Sequence, residues 1–385
     1  VSDVLAHATT TGALNNSGDQ LTLSLDSVIF DQTPDGVWSA GATSTRQTME
    51  RYSSREPGTD QENWGTNLGY IKNGIDANRN PIEGTPGEQN SVSTLINKGQ
   101  EITSDFTLTN TEEQYVIANA LRISASSTLT IEPGVEIKFY EENWWQPARL
   151  DVYGALTVQG IPENPVTFTS FANIPVGSVE LHGNATSTVT SAHFDTTYGG
   201  INVYSGTTEI KDSSFSNIKY EAIGVYGGAS VSVSSTTISN IKRNSAIGVY
   251  QESHLTIASS TIDGVSKGDG IHIDNSTLDI ASSTIKNVYY SGIGLYYGTT
   301  STISNVVIEN AEWNGVDVYR STATIASTTI SDIMGWAGVS VSEGTLSISS
   351  STIKDVSYYG ISAYDATSTI SNVVVENGGG TGIDI

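Results

Sequence analysis

The chain has no cysteine, so disulfide staples, thiolate metal sites and thiol nucleophiles are all excluded. Basic residues are scarce: 17 Lys and Arg stand against 41 Asp and Glu, a formal net charge of -24. Without a basic stretch nothing attracts phosphate locally, so nucleic acid and polybasic docking onto anionic membranes drop out as partners. No run of about 18 apolar residues occurs, which leaves no candidate membrane-spanning segment. Val1 to Thr10 lack the charged and apolar regions of a signal peptide, so a chain with its export signal removed, or a fragment, is expected. What is present is 385 residues with 37% apolar content, enough for a packed core, and 38 glycines. The acidic, Ser/Thr/Asn-rich, Lys-poor composition points to a secreted or cell-surface setting.

The second half is built on one repeat. A five-residue cluster of the type small, Ile/Val, small or polar, apolar, Tyr recurs, as in Ala222-Ile223-Gly224-Val225-Tyr226 and Gly292-Ile293-Gly294-Leu295-Tyr296. From Gly200 to Gly382 its first residue recurs at spacings of 22, 24, 24, 22, 23, 23, 22 and 22. Two more alternating segments fill each repeat, such as Leu255-Thr256-Ile257 and Ser260-Thr261-Ile262. Period-two alternation rich in Ile, Val and Thr predicts strands with one buried face. Three strands per roughly 23 residues predict a right-handed parallel β-helix of about twelve coils. Phe194, Phe215, Ile238, Ile262, Ile285 and their successors fall once per coil as an interior column. Two residues after each comes a turn column, including Asn217, Asn240, Asn287 and Asn310, which suits left-handed backbone.

Earlier coils phase through Ala120-Leu121-Arg122-Ile123, Arg149-Leu150-Asp151-Val152-Tyr153 and Ser178-Val179-Glu180-Leu181-His182. Leu129-Thr130-Ile131-Glu132-Pro133-Gly134-Val135-Glu136-Ile137, Leu156-Thr157-Val158-Gln159-Gly160 and Pro165-Val166-Thr167-Phe168 resemble the opening coils of bacterial cell-surface β-helix proteins of the pectate-lyase-like superfamily. That superfamily holds lyases, hydrolases, adhesins and tailspikes, so the resemblance implies fold and export more than activity. Residues 1–95 depart from the repeat. Gly18-Asp19-Gln20-Leu21-Thr22-Leu23, Trp38-Ser39-Ala40-Gly41, Asn63-Trp64-Gly65-Thr66-Asn67 and Gly84-Thr85-Pro86-Gly87 resemble the later part of a bacterial lamin-tail domain. The expected architecture is therefore all-β: an incomplete immunoglobulin-like sandwich over 1–95, then a β-helix over 96–385 that continues past the chain end.

In each cluster the second and fourth residues point inward, so the third and fifth line an outer face. The fifth column includes Tyr153, His182, Tyr204, Tyr226, Tyr250, Asp274, Tyr296, Tyr319 and Tyr364; two residues before each cluster lies another with Tyr198, Tyr220, Tyr290, Trp313, Trp336 and Tyr358. Between them runs the third column, with Gly224, Gly248, His272, Gly294 and Asp317. Small residues between two aromatic rows predict a trough for a polysaccharide, whose sugar faces stack on rings. A ladder that serves only the sheet, through cross-strand pairs, is the competing reading.

The front coils hold the catalytic candidates. Asp151 and Glu180 occupy the third column of adjacent coils, about 5 Å apart by strand spacing, as in retaining glycosidases. Tyr153 and His182 beside them suit base and acid in a β-elimination. Against this stands a plain reading as solvated charges partnered by Arg122. Trp144 and Trp145 would wall the front end. A second group, Asp269, His272, Asp274 and Asp317 with Trp313, is expected mainly as polar groove lining.

No metal ligand set is assigned. Calcium is the one cofactor weighed, because Asp76-Ala77-Asn78-Arg79-Asn80 alternates oxygen ligands, yet Gly87 stands where a closing Glu is needed. The expected function is binding of a neutral or weakly charged polysaccharide or surface glycan. A glycoside hydrolase or lyase using Asp151 and Glu180, and a rigid surface spacer or adhesin, are the alternatives.

Overall fold

The computed structural model describes residues 17–385 apart from 26, 53–56, 68–74, 76–78, 86–89, 91, 93–100, 111–114, 119, 142–147 and 172–173. Contacts divide the chain into two units, one of residues 1–97 with 111–118 and one of 98–110 with 119–385.

The second unit is a parallel β-solenoid of about twelve turns. Each turn gives one strand to each of three parallel sheets; one sheet has 13 strands, from Glu101–Ile102 to Ile383–Asp384. The predicted phasing holds strand for strand. Arg122 pairs with Asp151, Asp151 with Glu180, Glu180 with Asn202, and Asn202 with Gly224. The column continues through Gly248, His272, Gly294, Asp317, Ser340 and Ser362. One buried face per strand fixes this register, since a one-residue slip would expose every Ile and Val.

The core fills by stacking identical positions. Phe168, Phe194 and Phe215 lie ring over ring with centroids 4.4 and 4.7 Å apart, and Ile238, Ile262 and Ile285 continue the column. At the corner after this sheet, Asn217, Asn240, Asn287 and Asn310 take positive φ of 54 to 58°, with Gly264 at 88°. Asn310 donates from Nδ2 to Asn287 Oδ1 at 2.7 Å, so the turn column is bonded coil to coil.

In the first unit the described residues form two short antiparallel pairs, Thr22–Leu25 with Val28–Gln32 and Met49–Arg51 with Trp64–Thr66. Buried Glu50 accepts hydrogen bonds from Asn67 at 2.6 Å and Thr85 at 2.7 Å. These pairs do not by themselves make the two-layer sandwich expected over 1–95. Asp76, Ala77, Asn78 and Gly87 of the weighed calcium loop lie outside the described residues.

Candidate functional site

The outer face of the 13-stranded sheet carries the two aromatic rows, but one of them folds inward. A Cβ added at Gly224, Gly248 or Gly294 would meet the ring of Tyr226, Tyr250 or Tyr296 at 2.7, 2.7 and 2.6 Å. Each tyrosine thus lies across the glycine two residues before it, and only glycine leaves room. The floor of the groove is accordingly a ladder of rings. Arg122 caps Tyr153 at 4.1 Å; Tyr153, His182, Tyr204, Tyr226 and Tyr250 follow at centroid steps of 4.7, 4.9, 5.1 and 5.3 Å. Where the fifth column has Asp274, the ring comes from the third column instead: His272 bridges Tyr250 at 5.6 Å and Tyr296 at 4.8 Å.

The other row stays open. Tyr198, Tyr290, Trp313, Trp336 and Tyr358 are all exposed, Trp313 by 55%. Main-chain bonds from Trp313 N to Tyr290 O and from Trp336 N to Trp313 O hold three of them in register. The row is interrupted at Asn244 and Gly268, and there a cavity of about 450 Å³ opens, lined among others by Lys267, Asp269, His272, Tyr290, Trp313 and Asp317. Its neighbour along the groove, about 520 Å³, is lined by Glu221, Tyr226, Tyr250 and Asp274. Gly268 is needed here, because a Cβ would come within 2.4 Å of Ser245 N and 2.5 Å of the Asn244 carbonyl carbon. Gly268→Ala is expected to lower stability by about 1–3 kcal/mol, read from melting curves, by forcing that backbone apart.

Two buried acids anchor the floor. Glu221 accepts from the hydroxyls of Tyr226 and Tyr250, both at 2.9 Å, and from Asn244 Nδ2 at 3.0 Å. Asp269 is 6% exposed; it accepts from Ser291 N at 3.0 Å and faces His272 Nδ1 at 2.9 Å. Both sit immediately before a cluster, a position that holds Ser, Asn, Gly or Ala in most other coils. That contrast is the sequence signal for both acids, and strand alternation, which fixes strands and not corners, leaves Glu221 unmarked. Burial first, then the Glu221 carboxylate, pushes the Tyr226 and Tyr250 hydroxyls far above the ordinary tyrosine range. Tyr296 is pushed up likewise, by burial, Asp269 and Asp317. Its hydroxyl lies 3.5 Å from Asp317 Oδ2. Asp317 itself is raised to about 6, by burial first and the nearby Asp269 second, against hydrogen bonds from Ser340, Tyr296 and the Val318 amide.

The front candidates come together as phased, yet in a closed arrangement. Asp151 and Glu180 are paired residues on adjacent strands and both are buried, which departs from the expectation of solvated charges. Arg149 Nε donates to Asp151 at 2.8 Å, and His182 Nε2 lies 3.5 Å from its other oxygen. Asp151 above all keeps Arg149 charged. Glu180 accepts from Ser178 Oγ and from Asn202 Nδ2 at 3.0 Å. Tyr153 and His182 stack face to face in the ladder. Tyr319 carries Arg320 over its ring at 5.0 Å, while Tyr364 is 74% exposed. Trp144 and Trp145 lie outside the described residues. Among the described residues no group of three or more His, Asp or Glu is arranged to hold a metal ion, and no helix is long and apolar enough to cross a membrane.

Two family models match the second unit: a right handed beta helix region over residues 177–332 and a pectate-lyase like beta helix domain over residues 100–239. No curated protein matches the chain in sequence. Among solved structures, a periplasmic alginate epimerase aligns with a TM-score of 0.54 at 13% identity, covering 68% of this chain and 76% of its own. An Azotobacter vinelandii mannuronan C-5 epimerase module gives 0.47 at 10% identity, covering 71% and 85%. A surface adhesin of Streptococcus pneumoniae gives 0.40 at 14%, covering 66% and 85%. At such identities the epimerase likeness speaks for the fold, a right-handed β-helix.

Proposed function

We propose that this protein binds a neutral or weakly charged polysaccharide along the ring-floored groove, in a secreted or cell-surface setting. The observation that carries the reading is the exposed row of Tyr290, Trp313, Trp336 and Tyr358 standing beside an open cavity of about 450 Å³. Four large rings left in water on one edge exceed what sheet stability asks for, and they offer flat apolar faces at the spacing of successive coils. Two carboxylates, Asp269 and Asp317, against the one ammonium of Lys267 in the cavity give an anionic chain little attraction. The tyrosines of the floor act differently: their hydroxyls are already engaged with Glu221 and Asp317, so they shape the groove more than they grip the ligand.

The periplasmic alginate epimerase among its structural neighbours is in keeping with a glycan partner. Under this reading residues 1–95 are a lamin-tail-like module that accompanies the groove outside the cell. Trp313→Ala is expected to weaken retention on immobilised neutral polysaccharide about tenfold, from loss of one stacking face. Glu180→Gln should leave retention unchanged. Affinity electrophoresis through gels containing single polysaccharides reads both variants, and equal migration of Trp313→Ala and the parent in a retaining gel would sink the proposal.

A further inference from the structure

The cavity holds more chemistry than binding requires. A groove that only stacks sugars has no use for a histidine oriented by a buried carboxylate, facing a second acid on the same floor. Asp269 is fixed by the Ser291 amide and holds its other oxygen 2.9 Å from His272 Nδ1. In the neutral imidazole that geometry favours the proton on Nδ1 and leaves the Nε2 lone pair free. His272 keeps 27% side-chain exposure, clamped between the rings of Tyr250 and Tyr296. Asp317 lies two strands further, in the same column, through Gly294. Two strand spacings put the His272 and Asp317 backbones about 10 Å apart, and both side chains line the one cavity, as an acid and a base on either side of a sugar and its attacking water must.

Resting on the glycan-binding reading, we infer that this cavity hydrolyses the bound neutral glycan, with His272 Nε2 as general base, Asp317 as general acid and Asp269 positioning His272. Water is the co-reactant. Its oxygen forms a bond to the anomeric carbon while the glycosidic C–O bond breaks; the Asp317 carboxyl proton passes to the leaving oxygen and a water proton passes to His272 Nε2. The cycle closes when His272 returns its proton through solvent and Asp317 regains one. No electrons change hands and each event leaves one new reducing end, with inverted configuration. Burial and Asp269 raise Asp317 to about 6, so a share of it carries the needed proton in weakly acidic solution. The charged and titratable groups around the pair are Asp269, which disfavours the ionised acid, Tyr296, whose hydroxyl donates to Asp317 and favours it, and Lys267, a cation lining the same cavity. The front pair is a weaker candidate for this work, since Arg149 and Asn202 already occupy Asp151 and Glu180.

The experiment incubates the full chain with separate neutral polysaccharides, namely β-1,3-glucan, β-1,4-glucan, xylan, galactomannan and α-1,3-glucan, at pH 5, 6 and 8. It reads retention and new reducing ends together. Wild type is expected to be retained on at least one of them and to release products fastest near pH 6, because the acid must still hold its proton while the base has lost its own. Asp317→Asn should stay retained within about twofold and lose at least about a hundredfold in product formation. Asp269→Asn should lose less, in kcat with KM kept, and nitrogen-15 spectra of His272 should move from the Nδ1–H toward the Nε2–H tautomer; a merely structural role of Asp269 would not split kcat from KM. Circular dichroism checks the fold of each variant. If Asp317→Asn does not fold, the fall of wild-type rate as pH rises through about 6 tests the acid on its own. Retention without products overturns the inference and spares the binding reading. Absence of retention on every polysaccharide overturns both. Products lost in Glu180→Gln but kept in Asp317→Asn would move the chemistry to the front coils.

Discussion

Asp317→Asn is expected to melt with the wild type near pH 4 and above it at pH 8, by up to about 3 kcal/mol. The folded protein holds the Asp317 proton to about 6, whereas the unfolded chain releases it near 3.8. Between those values the native state binds more protons than the unfolded one, so stability falls as pH rises through the interval. Below it both states are protonated and Asp317 costs nothing. Above it the wild type carries a half-buried carboxylate beside Asp269, a penalty of about 1.4 kcal/mol per unit of displacement. The amide keeps an acceptor oxygen for Tyr296 and Ser340 and never ionises, so the penalty disappears. Denaturant titrations at pH 4, 6 and 8 check the sign. A variant that is less stable than wild type at pH 8 would mean that the charged form of Asp317 is itself part of what holds the coil together.

Phe194→Ala is expected to cost about 3–5 kcal/mol. The ring is 1% exposed and stacked on both sides, by Phe168 at 4.4 Å and Phe215 at 4.7 Å. Its loss leaves a void that neither neighbour can fill without leaving its own coil. Because each coil contacts mainly the next, the damage should be local. Amide hydrogen exchange should quicken in strands Val166–Ser170, Ala192–Asp195 and Ser214–Ser216 and remain slow in Thr345–Ser349. Tyr364→Ala, at a position 74% exposed, should change stability by under about 0.5 kcal/mol and serves as the control. Uniform acceleration along the whole helix would show that the coils unfold as one unit.

The sequence by itself determined the coil, its period and its register, including which residues share a column from Arg122 to Ser362. It could do so because strand alternation is strict and one buried face penalises any slip. It also marked the exposed row from Tyr290 to Tyr358, since a residue two before each cluster falls at a fixed corner. Only the tertiary structure decided what the columns do. The fifth-column rings fold over the glycines of the third, which turns an expected open trough into a ring floor, and in the front coils Asp151 and Glu180 end up buried. Alternation gives the side of a sheet on which a side chain starts, and it says nothing about the direction in which a long side chain then leans. Corner residues lie outside the alternation altogether. Glu221 therefore escaped notice, and Asp269 stood as mere lining until the fold turned its carboxylate inward onto His272. A cavity forms where the aromatic row lapses at Asn244 and Gly268, and that depends on a backbone approach so close that a Cβ at Gly268 would come within 2.4 Å of Ser245 N, which only packing creates.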